Sequence, residues 1–159
     1  MINEFTAKKL GEVLAFARVG EEIFERGRAA LNSVFTERGV NQILHDISEH
    51  RVAIESLAAE LGTETITLPK SEKTAEKLRK MLELYVGEEW DNPAELLEWL
   101  GFFEGAALIH WRLVEGAGKA LKHTDTVTLA KTGTSFHASL LNEVGEKIRD
   151  LGGSKALAA

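Results

Sequence analysis

The apolar residues of this chain recur at helical spacing along most of its length. Leu10, Leu14, Ala17, Phe24 and Leu31 follow one another at steps of three, four and seven, the period of one helix face. Thr6 is placed to cap this first helix, which the pattern carries to about residue 35. The rhythm breaks at residues 36–39. Thr36 suits the N-cap of a second helix over 37–61, whose stripe is Val40, Ile43, Ile47, Ile54, Leu57 and Leu61. Gly62 suits the end of that helix, because glycine tolerates the left-handed cap conformation. The stretch TETITLP, residues 63–69, reads as an extended connector. Ser71 then starts a shorter helix over 71–86, with Leu78, Met81, Leu82 and Tyr85 as its apolar face. Asn92 before Pro93 marks a helix start. The third long helix runs to 121 and is apolar almost all round between Leu96 and Val114, which predicts a central, buried position. A turn near 123–125 leads into a last helix over 126–151, with Val127, Ala130, Leu141, Val144, Ile148 and Leu151 in one rhythm. Gly152 and Gly153 are placed to end it and leave a frayed tail.

Two long helical pairs joined by a long link predict an all-α fold. Its architecture is expected to be an antiparallel four-helix bundle of two hairpins, with a crossover containing an extra short helix. The 159 residues are one domain's worth of chain. Composition removes several function classes. The net charge of −6 comes from interspersed acids and bases, so no basic face offers itself to nucleic acid. Without cysteine, disulfides and thiolate chemistry are excluded, and a reducing compartment is compatible. The start MINEFTAKKLGEVL has no apolar signal core. The most apolar stretch carries Glu98, Glu104, His110 and Arg112, which argues against a membrane span. The cytoplasm is therefore the expected location, and no phosphate loop or nucleophile–base pair suggests an enzyme class.

The residues that break a stripe without leaving it are the candidate chemistry. His50 lies in phase with Ile43, Ile47 and Ile54. His110 lies in phase with Phe103, Ala107 and Val114. His137 lies in phase with Ala130, Leu141 and Val144, and Glu21 with Leu14, Ala17 and Phe24. With the first turn centred near residue 36, position 21 stands opposite position 51, so Glu21 and His50 share a level. With the second turn centred between 123 and 124, position 110 stands opposite position 137. One carboxylate and three imidazoles could then meet in the core and bind one iron, zinc or manganese ion. The competing reading is a buried polar network without metal. Glu104 is the best spare ligand. Glu22, Glu25, Glu49 and His45 are assigned to solvated faces, and Trp90, Trp99 and Trp111 to packing or a subunit interface.

This pattern resembles the ferritin-like superfamily. SEHRVAIESLAAELG looks like the second-helix signature with His50 in the histidine place, and TSFHASLLNEVGEKIRDLGG looks like the fourth with His137. The resemblance implies Glu21 as the first-helix glutamate and Glu104 as the third-helix one. Ile47 and Thr134 stand where the glutamates of the two Glu-x-x-His pairs would be. A single-metal site (Glu21, His50, Glu104, His110, His137) or a metal-free bundle follows, in place of a two-iron centre. The metal-bound form would serve redox or stress defence. The metal-free form would act as a homo-oligomeric interaction module, most simply a dimer.

Overall fold

A computed structural model describes residues 2–158. The described chain is helical throughout: α1 (Glu4–Arg26), α2 (Arg28–Glu60), α3 (Glu64–Val86), α4 (Pro93–Ala120) and α5 (Thr124–Ala158). Among the described residues, no helix is long and apolar enough to cross a membrane.

The first hairpin is built in two steps. α1 is capped by Asn3, not Thr6: the Asn3 carboxamide oxygen accepts from the Thr6 amide at 3.0 Å. α1 stops at Gly27, nine residues before the sequence pattern breaks at 36. A Cβ at Gly27 would lie 2.9 Å from Leu96 Cδ1, so a side chain there would push the end of Leu96 aside. A short helical stretch follows to Thr36, whose φ of 66° departs from the helix. The Thr36 hydroxyl accepts from the Gly39 amide at 3.2 Å and caps the remainder of α2, as its sequence position indicates. At the far end of α2, Gly62 adopts φ 64°. The Gly62 amide donates to the Ala59 carbonyl and that of Thr63 to the Ala58 carbonyl. That is the double bond of a Schellman end.

Residues 64–69 are helical, not extended, and form the first turns of α3, a 23-residue helix with Thr63 at its N-cap position. Tertiary packing overrides the strand-like composition here. The Thr67 hydroxyl donates to the Ala7 carbonyl at 3.2 Å, and a Cβ at Gly11 would lie 2.5 Å from the Thr67 carbonyl oxygen. Ala7, Gly11 and Ala15 thus present a small-residue face against which the backbone of α3 lies flat. Ser71, expected as a cap, is buried mid-helix. The buried face of α3 is Ala75, Leu78, Leu82 and Val86, while Met81 and Tyr85 are largely exposed.

The directions follow from cross-helix contacts. Arg18–Glu55 and Glu21–Arg51 make α1 and the later part of α2 antiparallel. Ala7–Thr67 and Glu22–Arg79 make α3 parallel to α1. Phe16–Phe103 and Gly27–Leu96 make α4 antiparallel to α1. Glu104–His137 and Gly118–Thr126 make α5 antiparallel to α4. α3 therefore carries the chain back along the length of the molecule, which leaves α2 and α4 pointing the same way.

α4 touches all four other helices, as its central placement in the pattern predicts, but α1 is the more fully enclosed of the two. α1 buries residues around most of its circumference, from Thr6 and Ala7 to Ile23 and Phe24. α4 buries Leu96, Leu100, Phe103, Ala107, Trp111 and Val114 but leaves Phe102, Ile109 and Leu113 in solvent. α4 starts as expected, the Asn92 side chain accepting from the Ala94 amide at 3.1 Å. α5 is unbroken through Gly133, where a Cβ would lie 2.3 Å from the Trp111 indole. It also continues through Gly152 and Gly153 to Ala158, its last turns exposed.

Candidate functional site

The five sequence-predicted ligands fall into three separate settings. Glu21 faces the guanidinium of Arg51, with Nε 3.1 Å from both carboxylate oxygens at the edge of the α1–α2 interface. Position 21 does stand opposite position 51, but it is Arg51 that turns toward it, and His50 points inward. A one-residue step around a helix is about 100°, enough to separate surface from core.

His110 is also apart from the rest. It is about one-third exposed, and its Nδ1 meets Glu12 Oε2 at 2.9 Å. Glu12 is buried on α1 and is ringed by Lys9 at 2.8 Å and Lys70 at 2.9 Å. Burial pulls the Glu12 carboxyl up. The two hydrogen-bonded ammonium groups outweigh it and hold the carboxyl below its ordinary value. Glu12 was not singled out in the sequence; its signal is an acid flanked by Leu10, Val13 and Leu14.

The third setting is the core proper. Glu104 is 1% exposed and His137 5% exposed. His137 Nδ1 lies 2.5 Å from Glu104 Oε2, a short charge-assisted contact across the α4–α5 interface. The second turn sets this pairing. Lys122, at φ 54°, tightens it, and Gly118 packs on Thr126. The partner of His137 lies six residues, about 9 Å along the axis, from the expected one, so His137 meets Glu104 and not His110. His50 comes from α2 and is 9% exposed. Its ring sits 4.9 Å from Phe136 and 6.2 Å from Trp111, centroid to centroid. Burial, and then the neighbouring His137, push its pKa below the ordinary histidine value, against the weaker pull of Asp46 and Glu49. His50 is therefore a neutral imidazole at pH 7.

His50, Glu104, His137 and Trp111 line one small internal cavity of about 10 Å³ together with Val13, Phe16, Ile47 and Phe103. Such a volume takes one water-sized species. His50 Nδ1 and Trp111 Nε1 are buried without hydrogen-bond partners. The interior thus holds two of the four predicted stripe residues plus the spare ligand Glu104, a buried carboxylate–imidazole pair with a second imidazole nearby.

A two-iron centre does not fit these residues. Ile47, in the place of one Glu-x-x-His glutamate, is buried and lines the cavity, and Thr134 takes the place of the other. Two cations would share the single core carboxylate of Glu104. Among the described residues, one trio of potential ligands has its donor atoms within 4.8 Å of one another: His45, Asp46 and Glu49, on the outer side of α2.

The outward face of α4 is the other candidate feature, although within the monomer Phe102 meets the Tyr85 ring edge-on at 5.5 Å, centroid to centroid. Phe102 is 64% exposed, Ile109 55% and Leu113 42%. With Ala106 and Gly116 they occupy positions 102, 106, 109, 113 and 116, alternate steps of four and three that make one straight seam. Cβ atoms at Gly101, Gly105 and Gly116 would meet nothing within 4 Å, so no contact inside the monomer requires glycine there.

No protein-family model, no curated protein and no solved structure matches this chain.

Proposed function

We propose that this chain is a homodimeric helical module of ferritin-like build, self-associating through the outward face of α4. The seam of Phe102, Ile109, Leu113 and Gly116, all exposed, with half-buried Ala106 between them, carries this reading. The ferritin-like build is supported by the directions of α1, α2, α4 and α5 and by a crossover, α3, that runs the length of the molecule.

An antiparallel pairing about a two-fold axis at Ile109 suits the seam. Phe102 would face Gly116 of the second copy, and Leu113 would face Gly105. Large side chains thus oppose glycines that have no use within the monomer. A helix-interior glycine costs about 1 kcal/mol relative to alanine, and a close interface offsets that. Charge favours the same direction. The start of α4 carries Glu95 and Glu98, and its end carries Lys119 and, just beyond, Lys122. Antiparallel copies place acid against base, whereas parallel copies would stack like charges. Lys119 already pairs with Glu115 at 2.6 Å, so the gain lies mainly in specificity.

Light scattering of the purified chain tests this. The wild type is expected at twice its 17.5 kDa mass, and Ile109→Glu at the monomer mass with unchanged helicity. A wild-type monomer at all concentrations would remove the proposal.

The second reading is one divalent ion in the core, favoured by the unpartnered Nδ1 of His50 beside Glu104 and His137. It requires the Glu104–His137 contact to open. Elemental analysis of protein from metal-replete cells decides it. Stoichiometric metal lost in His50→Ala/His137→Ala supports an ion, and metal-free protein rejects it.

A further inference from the structure

A groove of about 500 Å³ runs between α2 and α5, in the size range of small-ligand sites. Its floor is Ala53, Leu57, Leu129 and the outer side of His50, the residue that also lines the internal cavity. Its charged groups are all carboxylates. Glu49 stands at one end, and Glu60 and Asp125 stand at the other. No lysine or arginine lines the groove. Glu49 and Glu60 are eleven residues apart on α2, about 16 Å along the axis.

We infer that this groove binds a linear aliphatic cation with an ammonium group at each end. The apolar floor takes the alkyl chain, and the carboxylates at the two ends take the ammonium groups. Ser56, Thr128 and Thr132 supply hydroxyls between them, placed for an internal amine. A single small cation would use one end only and leave the apolar floor bare. An anion would face three carboxylates, and a neutral chain would leave both ends unsatisfied. This inference does not depend on self-association, because it uses the α2–α5 face and not the outward face of α4.

Calorimetric titration at low salt with three probes of equal length tests it: 1,8-diaminooctane, 1-aminooctane and 1,8-octanediol. The diamine is expected to bind about two- to fivefold more tightly than the monoamine, the increment of one exposed ion pair. The diol is expected to be weakest. Glu49→Gln should bring the diamine to the level of the monoamine. Ala53→Trp fills the groove while keeping every charge, and should abolish binding of all three. That variant separates a built groove from loose attraction to an acidic surface. Diamine and monoamine of equal affinity, a preference for the diol, or undiminished diamine binding to Ala53→Trp would each overturn the inference. So would the absence of diamine binding at millimolar concentration.

Discussion

α1 and α4 are both rich in apolar residues, yet they are used differently. α1 sits among α2, α3 and α4 and hides Leu10, Val13, Leu14, Val19, Ile23 and Phe24 completely. α4 is longer and more continuously apolar, yet it buries one side and presents Phe102, Ile109 and Leu113 on the other. Small residues explain the difference. Ala7, Gly11 and Ala15 let α3 lie directly on α1, which closes a side that would otherwise face water. The glycines of α4 at 101, 105 and 116 meet nothing within the monomer. On α1 the small residues enclose a further side of the helix, whereas on α4 only Gly118 admits a neighbour so closely.

Matched substitutions on the two helices should give the largest contrast. Phe24→Ala removes a fully buried ring and should lower unfolding free energy by about 3–5 kcal/mol in urea denaturation. Phe102→Ala loses only the edge contact with Tyr85 and should lower monomer stability by about 1 kcal/mol, while weakening the proposed dimer. Equal losses at both sites would show that α4 is as enclosed as α1. The close approach of α3 is tested next. Gly11→Val places carbon against the Thr67 carbonyl and should cost about 3 kcal/mol. Tolerance of valine there would mean that α3 does not lie flat on α1.

A smaller effect separates the inner face of α4 from the outer. His50, against Trp111, has a folded pKa below its unfolded one. Below about pH 6.5 the unfolded chain takes up a proton that the folded chain refuses, so stability falls as pH drops through that window. It levels off below the folded pKa. The slope contributed is at most about 1.4 kcal/mol per pH unit. His50→Gln should flatten the stability profile between pH 6.5 and 5, and an unchanged profile would place the ring in water. The smallest effect belongs to Gly105→Ala. On an open helix surface it should raise monomer stability by about 0.5–1 kcal/mol, where the same change at Gly11 would destabilise.

Much of this fold is legible in one-dimensional pattern, and the failures have local causes. The stripe of α2 and the caps at Thr36, Gly62 and Asn92 lie where the residues indicate. Of the α5 stripe only Ala130 and Val144 are buried, in a line that runs through Thr126, Gly133, His137 and Leu140. Residues 64–69 mislead because the contact that makes them helical is with Gly11, more than fifty positions away. The levels of the polar residues were nearly right: Glu21 does meet position 51. Level alone does not fix azimuth, and so Arg51 takes the carboxylate and His50 turns inward. In the second hairpin His137 meets Glu104, six residues from the expected His110, across a turn in which Lys122, a non-glycine residue, takes a left-handed conformation. Glu104, judged a spare, is the most deeply buried acid among the candidates.

The seam on α4 has a direct test, because the chain contains no cysteine. Ile109→Cys supplies the single thiol of each copy at the proposed two-fold axis, where opposed Cα atoms would lie within the roughly 4.4–6.8 Å that a disulfide spans. Mild oxidation should convert Ile109→Cys almost completely to a covalent dimer at micromolar concentration. Val52→Cys, equally exposed on α2, should remain monomeric under the same conditions. Equal cross-linking of the two variants, or none at position 109, would contradict self-association through α4.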